Sequence, residues 1–286
     1  MRINTNVASL TAQESSTLTD KRMSSSLEKL SSGLRINKAS DDASGLAIAD
    51  KLRTQASSIG QSIANGNSAT ALTQIADKAM AEQSNILDTV KQKLIQAATA
   101  TTSEEGRAAI GKDINKLLTQ LDNIASQTNY NGIQLLQKSD ATADSGAAKQ
   151  EFQMGEKANN TITLGSGITS NTHGLQGMSA LKASALGGAS FSAGVARGYM
   201  DDVDSALNQL NGWRSDVGST QNQLESALRN MMTQKTNIKA AESVIRDVDY
   251  ASESAEFNKQ NIIAQAGTYA LSQANAMQQN VTRLLQ

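Results

Sequence analysis

The chain has 286 residues, with 26 basic against 27 acidic side chains, a single histidine, no proline and no cysteine. A formal charge of −1 offers no electrostatic case for binding nucleic acid or an anionic membrane. The missing cysteines exclude disulfides and thiol nucleophiles, and no run approaches the roughly 18 apolar residues of a membrane span. At the usual share of about 5%, on the order of fourteen prolines would be expected. Proline breaks helices, so its absence favours long uninterrupted ones. Aromatic residues make up 3% and the apolar set 38%, which suits thin layers between helices better than one thick core.

Ile3, Val7 and Leu10 open an apolar stripe that Leu18 continues and that Met23, Leu27, Leu30 and Leu34 restore. Residues 3–33 read as a helix with Ser and Thr on its far face, ended by Gly33. Ser40, Asp41 and Asp42 then offer side-chain oxygens and negative charge to the free N–H groups of a new helix. From residue 43 to 100, Ile59, Ile63, Leu72, Ile75, Ala79, Ile86, Val90 and Leu94 keep near-helical spacing. Such a rod is roughly 80 Å long at 1.5 Å per residue.

Ser103 with Glu104 and Glu105 starts a third helix, whose Ile110, Ile114, Leu117, Leu118, Leu121 and Ile124 form one amphipathic face. Asn131-Gly132 is a turn signal, and a short strand Ile133 to Leu136 is expected after it. Residues 138–192 turn rich in Gly, Ser, Thr, Ala and Asn. Two alternating patches there, Glu151 to Met154 and Thr161 to Leu164, predict a β-hairpin closed by Gly155 to Asn160.

A further long helix is predicted from about Ser192 to Arg246. Nine of thirteen positions on the heptad seam 203, 207, 210, 214 and onward to 245 are apolar, and Arg214, Gln221, Lys235 and Glu242 interrupt it. That count predicts a coiled-coil-like seam whose polar breaks set register. Arg246 to Tyr250 form a polar joint that mirrors residues 35–42. A last helix runs to Gln286 with Ile263, Ala270, Ala274, Met277, Val281 and Leu284 on one face. Isolated helices gain most of their stability from packing. Both terminal helices therefore read as segments that finish folding by pairing and then assembling with other copies.

The chemistry of catalysis finds little to use. His173 sits in a Gly-rich stretch that reads as an exposed loop, and Asp41-Asp42 is better explained as a helix start than as an acid–base pair. The expectation is no catalytic site, no metal site and no cofactor.

Two distant stretches carry a family likeness. Leu30-Ser31-Ser32-Gly33-Leu34-Arg35-Ile36-Asn37, followed by Asp41 to Asp50, resembles the N-terminal signature of bacterial flagellin. Gln273 to Leu285 resembles that family's C-terminus. The likeness covers about residues 1–136 and 195–286. It implies a minimal two-domain subunit of mainly α class: a long helical coiled-coil or bundle rod with a small β-hairpin region, its terminal helices paired as an inner coiled coil. The expected domains are 1–42 plus 247–286 (inner) and 43–246 (outer), with the hairpin and loop region at about 133–192. The likeness implies self-assembly into a helical filament for swimming, outside the cell, after export without a cleaved signal peptide. The assembly residues would be Ile3, Val7, Leu10, Met23, Leu27, Leu30, Leu34, Ile263, Ala270, Ala274, Met277, Val281 and Leu284. Implied partners are other copies, hook-junction and filament-cap proteins, an export chaperone on the C-terminal helix and the flagellar export apparatus. Neither nucleic acid nor membrane insertion is implied. The alternatives are a hook–filament junction protein and an intracellular coiled-coil adaptor.

Two finer expectations follow from the resemblance. Flagellins detected by the flagellin-sensing Toll-like receptor carry a Gln-Arg-Val-Arg-Glu-Leu-Ala-Val run late in the first long helix. Here the aligned residues are Asp88, Thr89, Val90, Lys91, Gln92, Lys93, Leu94 and Ile95, a departure that resembles Campylobacter- and Helicobacter-type flagellins at residues 87–96. Thr89 stands for the key arginine, Gln92 for the key glutamate, and Lys93 brings a cation that the activating pattern lacks. Ser166, Thr169, Ser170, Thr172 and Ser179 are candidates for the O-linked glycans that some flagellins carry.

Overall fold

The computed structural model describes residues 5–137, 147, 149–165, 167–186 and 191–284, with side chains as far as Asn280. Six helices and two short antiparallel strand pairs make up the described residues: α1 Val7–Ser32, α2 Ala43–Ala98, α3 Glu104–Gln127, β1 Asn129–Tyr130, β2 Ile133–Gln134, β3 Gln150–Gln153, β4 Thr161–Leu164, α4 Met178–Leu186, α5 Ala193–Arg246 and α6 Tyr250–Leu284. The mainly α class read from the sequence is the class observed. The chain divides into two compact units, one of residues 1–57 with 236–286 and one of residues 58–235. Helices α2 and α5 contribute to both.

Local chemistry places the helix ends. Asn6 caps α1 by accepting from the Ser9 amide, and Gly33 ends it in the left-handed region at φ 73, its N–H donating to Lys29 O. Asp42 Oδ1 accepts from the Gly45 amide at 2.9 Å and so caps α2. Asp41 does something else: its Oδ2 accepts from the Asn37 and Lys38 amides and closes the preceding loop. The Lys38 amide, and then that of Asn37, hold the Asp41 carboxyl below the usual carboxylate range. Ser103 caps α3, as its sequence position predicts.

The second unit holds a single core. Met80, Leu87, Val90 and Leu94 of α2, Ile114, Leu118 and Leu121 of α3, Leu181 of α4, and Val203, Leu210 and Val217 of α5 all belong to it. All thirteen seam positions of α5 from 203 to 245 are buried or half-buried. Arg214, a polar break in that seam, donates through Nε to Asp77 on α2 at 3.1 Å.

The hairpin forms at the predicted place, in the register Gln150↔Leu164, Glu151↔Thr163, Phe152↔Ile162 and Gln153↔Thr161. Ile162 and Leu164 are buried and Thr163 is exposed, which is the alternation of a one-sided strand. It leans on helices at Gly66, where an added Cβ would lie 2.7 Å from Met154 Cε and 2.8 Å from Leu228 Cδ2.

The strand expected over Ile133 to Leu136 is shorter. After Asn131 (φ 50) and Gly132 (φ 80) turn the chain, only Ile133 and Gln134 pair with β1. The Leu135 amide still donates to Thr128 O at 3.2 Å, beyond the end of β1, and the side chains of Leu135 and Leu136 are buried in the core.

Candidate functional site

In the first unit α1 packs along α6. The positions of α1 that this pairing covers are Ser9, Ala12, Ser16, Thr19, Met23, Ser26 and Leu30, and on α6 Phe257, Gln260, Ala264, Gly267, Leu271, Ala274 and Gln278. Both rows step by threes and fours, the spacing of a coiled-coil seam. Their side chains are small or polar for the most part, so the two backbones approach closely with little apolar burial.

The apolar residues lie elsewhere. Val7, Leu10, Leu18 and Leu27 on α1 are exposed, as are Ile262, Ile263, Tyr269 and Met277 on α6. The single α1 stripe read from the sequence is corrected here. Sixteen residues at 100° each put Val7 about 160° around the helix from Met23, so the two cannot share a face. Met23, Leu30 and Leu34 are half-buried, while Val7, Leu10 and Leu27 point away from α6. Among the described side chains of α6, Ala274 alone of the predicted set is in the seam. Ile263, Ala270 and Met277 sit one residue before the seam positions 264, 271 and 278, about 100° round the helix. Ile3 lies outside the described residues, and so do the side chains of Val281 and Leu284.

An open groove of about 540 Å³ runs where the two helices meet, lined by Ala8, Tyr269, Ala270, Ala274 and Met277 among others. Asn6 at its edge donates through Nδ2 to Ala274 O at 3.1 Å. Sequence reading missed Tyr269, 74% exposed, although its spacing of seven from Ile262 marks a second stripe.

The two polar joints, 214 residues apart by the count from Arg35 to Asp249, meet in space. Leu34 and Asp247 form an antiparallel bridge. The Arg35 amide donates to Arg246 O at 2.6 Å, the Val248 amide to Gly33 O at 3.1 Å, and Arg35 Nη2 to Ile245 O at 2.6 Å. An added Cβ at Gly33 would stand 3.0 Å from Tyr250 Oη, so the left-handed turn and the joint are one construction.

The receptor-region residues are held within the second unit. Val90 is fully buried, Asp88 and Gln92 are exposed, and Thr89 donates its hydroxyl to Asn85 O. Lys91 pairs with Asp204 on α5. Lys93 is no free cation, because Asp113 of α3 faces it at 3.4 Å. Three glycan candidates are corrected: Thr169, Ser170 and Thr172 are buried, and a hydroxyl without solvent access cannot carry a sugar. Ser179 is exposed, and Ser166 lies outside the described residues. Their loop is anchored by Asp122, which accepts from the Thr172 amide at 2.7 Å, its hydroxyl at 3.0 Å and Lys182 Nζ at 2.6 Å. Gln83 of α2 donates to Leu121 O and Ser170 O beside it.

Among the described residues no group of three His, Asp or Glu could hold a metal, and no helix is long and apolar enough to cross a membrane. Most polar groups that cluster around Asp122 and at the joint have backbone or ion-pair partners, while Gln83 Oε1, Ser170 Oγ and Arg246 Nε are buried without a hydrogen-bond partner among the described residues. The exposed large apolar side chains of the first unit sit on helices, among them Val7, Leu10, Leu18 and Leu27 of α1 and Ile262, Ile263, Tyr269 and Met277 of α6.

Comparison with known proteins agrees with that arrangement. Residues 3–141 match the bacterial flagellin N-terminal helical region and residues 200–285 its C-terminal helical region. Flagellin B of Helicobacter pylori is 45% identical over 211 residues, 74% of this chain and 39% of that protein. The match spans less than half the length of its Helicobacter relatives, between 30% and 48%. Flagellin of Bacillus subtilis is 33% identical over 304 aligned positions that cover both chains completely. A solved structure assigned to a flagellar hook-associated protein of Vibrio parahaemolyticus has a TM-score of 0.60 at 12% identity, over 72% of this chain and 99% of that one; at that identity the likeness speaks for the fold. With two matched regions in order and a full-length relative, the chain belongs to the bacterial flagellin family.

Proposed function

We propose that this chain is the structural subunit of a flagellar filament, joined to its neighbours by the outward apolar faces of α1 and α6, and catalyses no reaction. The observation that carries this reading is the pairing of the terminal helices through small and polar residues while Leu10, Ile262, Tyr269 and Met277 stay exposed. A monomer gains nothing from such an arrangement, whereas a polymer buries it. In this reading residues 1–42 with 247–286 form the inner, subunit-joining domain and 43–246 the outer one. The filament stands outside the cell. Copies of the chain, hook-junction and filament-cap proteins, an export chaperone on α6 and the export apparatus are its partners.

A hook–filament junction protein, which would share the terminal motifs, is the second reading. Electron micrographs of purified protein separate the two. Micrometre-long filaments, grown alone or from short seeds, are expected. A protein that only caps seeds without extending them is a junction protein.

The Thr89 and Gln92 departures lead to a further expectation. At an interface, losing one partner of a buried charged hydrogen bond costs about 2–5 kcal/mol. Two such losses, of a forked guanidinium and of a carboxylate, remove tight binding to a receptor that reads them. Soluble monomer is expected to activate a flagellin-receptor reporter poorly. A response at concentrations sufficient for an enteric flagellin would refute this reading, and the filament reading would stand untouched.

A further inference from the structure

The chain holds three Asn-Gly pairs: Asn65-Gly66, Asn131-Gly132 and Asn211-Gly212. In this dipeptide the backbone nitrogen of glycine reaches the preceding side-chain amide most easily, because no Cβ obstructs the approach. The fold gives the three pairs different settings. Asn65-Gly66 lies within α2; Asn65 Nδ2 donates to Gln153 O, its Oδ1 accepts from Gln61, and Gly66 is buried. Asn211-Gly212 lies in the middle of α5 and is exposed, but a helix interior holds each amide in a bond four residues back. Asn131-Gly132 is exposed and non-helical. Both residues have positive φ, a Cβ on Gly132 would meet nothing within 4 Å, and the pair lies between the β1 and β2 ladder positions, not in them.

We propose that Asn131 is a site of spontaneous succinimide formation, where the folded chain converts asparagine to aspartate and isoaspartate. The Gly132 nitrogen loses its proton and bonds to Asn131 Cγ; the Cγ–Nδ2 bond breaks and ammonia carries the proton away. Water then opens the ring at one carbonyl or the other. No oxidant, metal or cofactor enters. Each conversion adds one negative charge to the turn. Opening to isoaspartate also inserts a methylene into the main chain beside the Tyr130↔Ile133 pair, just before the core residues Leu135 and Leu136.

The test ages the full-length chain in mildly alkaline buffer, folded and in denaturant. Peptide mapping with fragmentation that distinguishes isoaspartate reads each site, and methyl transfer by an isoaspartyl methyltransferase reads the total. In the folded chain Asn131 converts faster than Asn211 by roughly tenfold or more, the factor that a helix-opening cost of about 1.4 kcal/mol supplies. In denaturant the three sites converge, and Asn131→Gln removes most of the folded chain's methyl acceptance. Equal rates at Asn131 and Asn211 in the folded chain would overturn the assignment. So would a folded chain inert at Asn131 while the denatured chain reacts.

Discussion

Met277→Glu combined with Leu10→Glu leaves a folded, soluble protein that does not polymerise. Both side chains are more than half exposed, at 61% and 55%, so neither carboxylate enters a core within the subunit. Between subunits the sign reverses. An unpaired charge taken from water into an apolar contact costs several kcal/mol, and every 1.4 kcal/mol is about a factor of ten in association. The critical concentration for filament growth is expected to rise by on the order of a hundredfold for the pair. Met277→Leu, which keeps the apolar contact, grows normal filaments. The measurement is sedimentation of polymer against concentration, with circular dichroism to establish that the thermal transition of residues 58–235 is unmoved. Normal growth by the double variant at ordinary concentrations would mean that the outward faces are not the joining surfaces.

Asp122→Ala has the opposite signature, since it acts within the subunit. The carboxylate accepts from the Thr172 amide and hydroxyl and from Lys182. Thr172 is buried; its loop lies against the buried Gln83, and the loop's own Asn171, also buried, accepts from the Gly174 amide. Removing Asp122 strands a buried amide and hydroxyl together, while Lys182, partly exposed, recovers water. The net cost is expected at about 2–4 kcal/mol, a fall in melting temperature of roughly 5–10 °C for a unit of this size. Asp122→Asn keeps an acceptor for the amide and loses the charge, so it should fall about half as far. Hydrogen exchange at the Thr172 amide should rise in step. A melting temperature within a degree or so of wild type for Asp122→Ala would show that the loop is held by its apolar neighbours instead.

Much of the helical framework can be read from one residue to the next, because it depends on local rules. Helix starts at Asp42 and Ser103 follow from side-chain oxygens placed ahead of apolar runs. The stop at Gly33 needs only the left-handed freedom of glycine, and the alternation at Thr161 to Leu164 shows which strand side is covered. The α5 seam was legible even through its polar breaks, since a heptad count tolerates a half-buried Arg214 once a partner such as Asp77 exists somewhere.

Where a residue's meaning depends on another far along the chain, the sequence was silent or misleading. Ser170 and Thr172 look like solvated loop residues by composition. They are buried where Gln83, 87 residues away, donates to the Ser170 carbonyl and Asp122, 50 residues away, accepts from the Thr172 amide and hydroxyl. Most apolar positions of α1 were identified and the Ile262–Tyr269 stripe of α6 was missed, but which face of α1 meets α6 was not legible. A helix with apolar residues on two sides can pair through either. The small, polar row was chosen by its fit against Ala264, Gly267 and Ala274, which no pattern within α1 encodes. The sequence by itself determined helix lengths, caps, hairpin and family, because each is set by neighbouring residues. Only the tertiary structure decided that the two joints bond to each other and that the apolar faces of α1 and α6 are left open, because both outcomes depend on segments some two hundred residues apart competing for the same contacts.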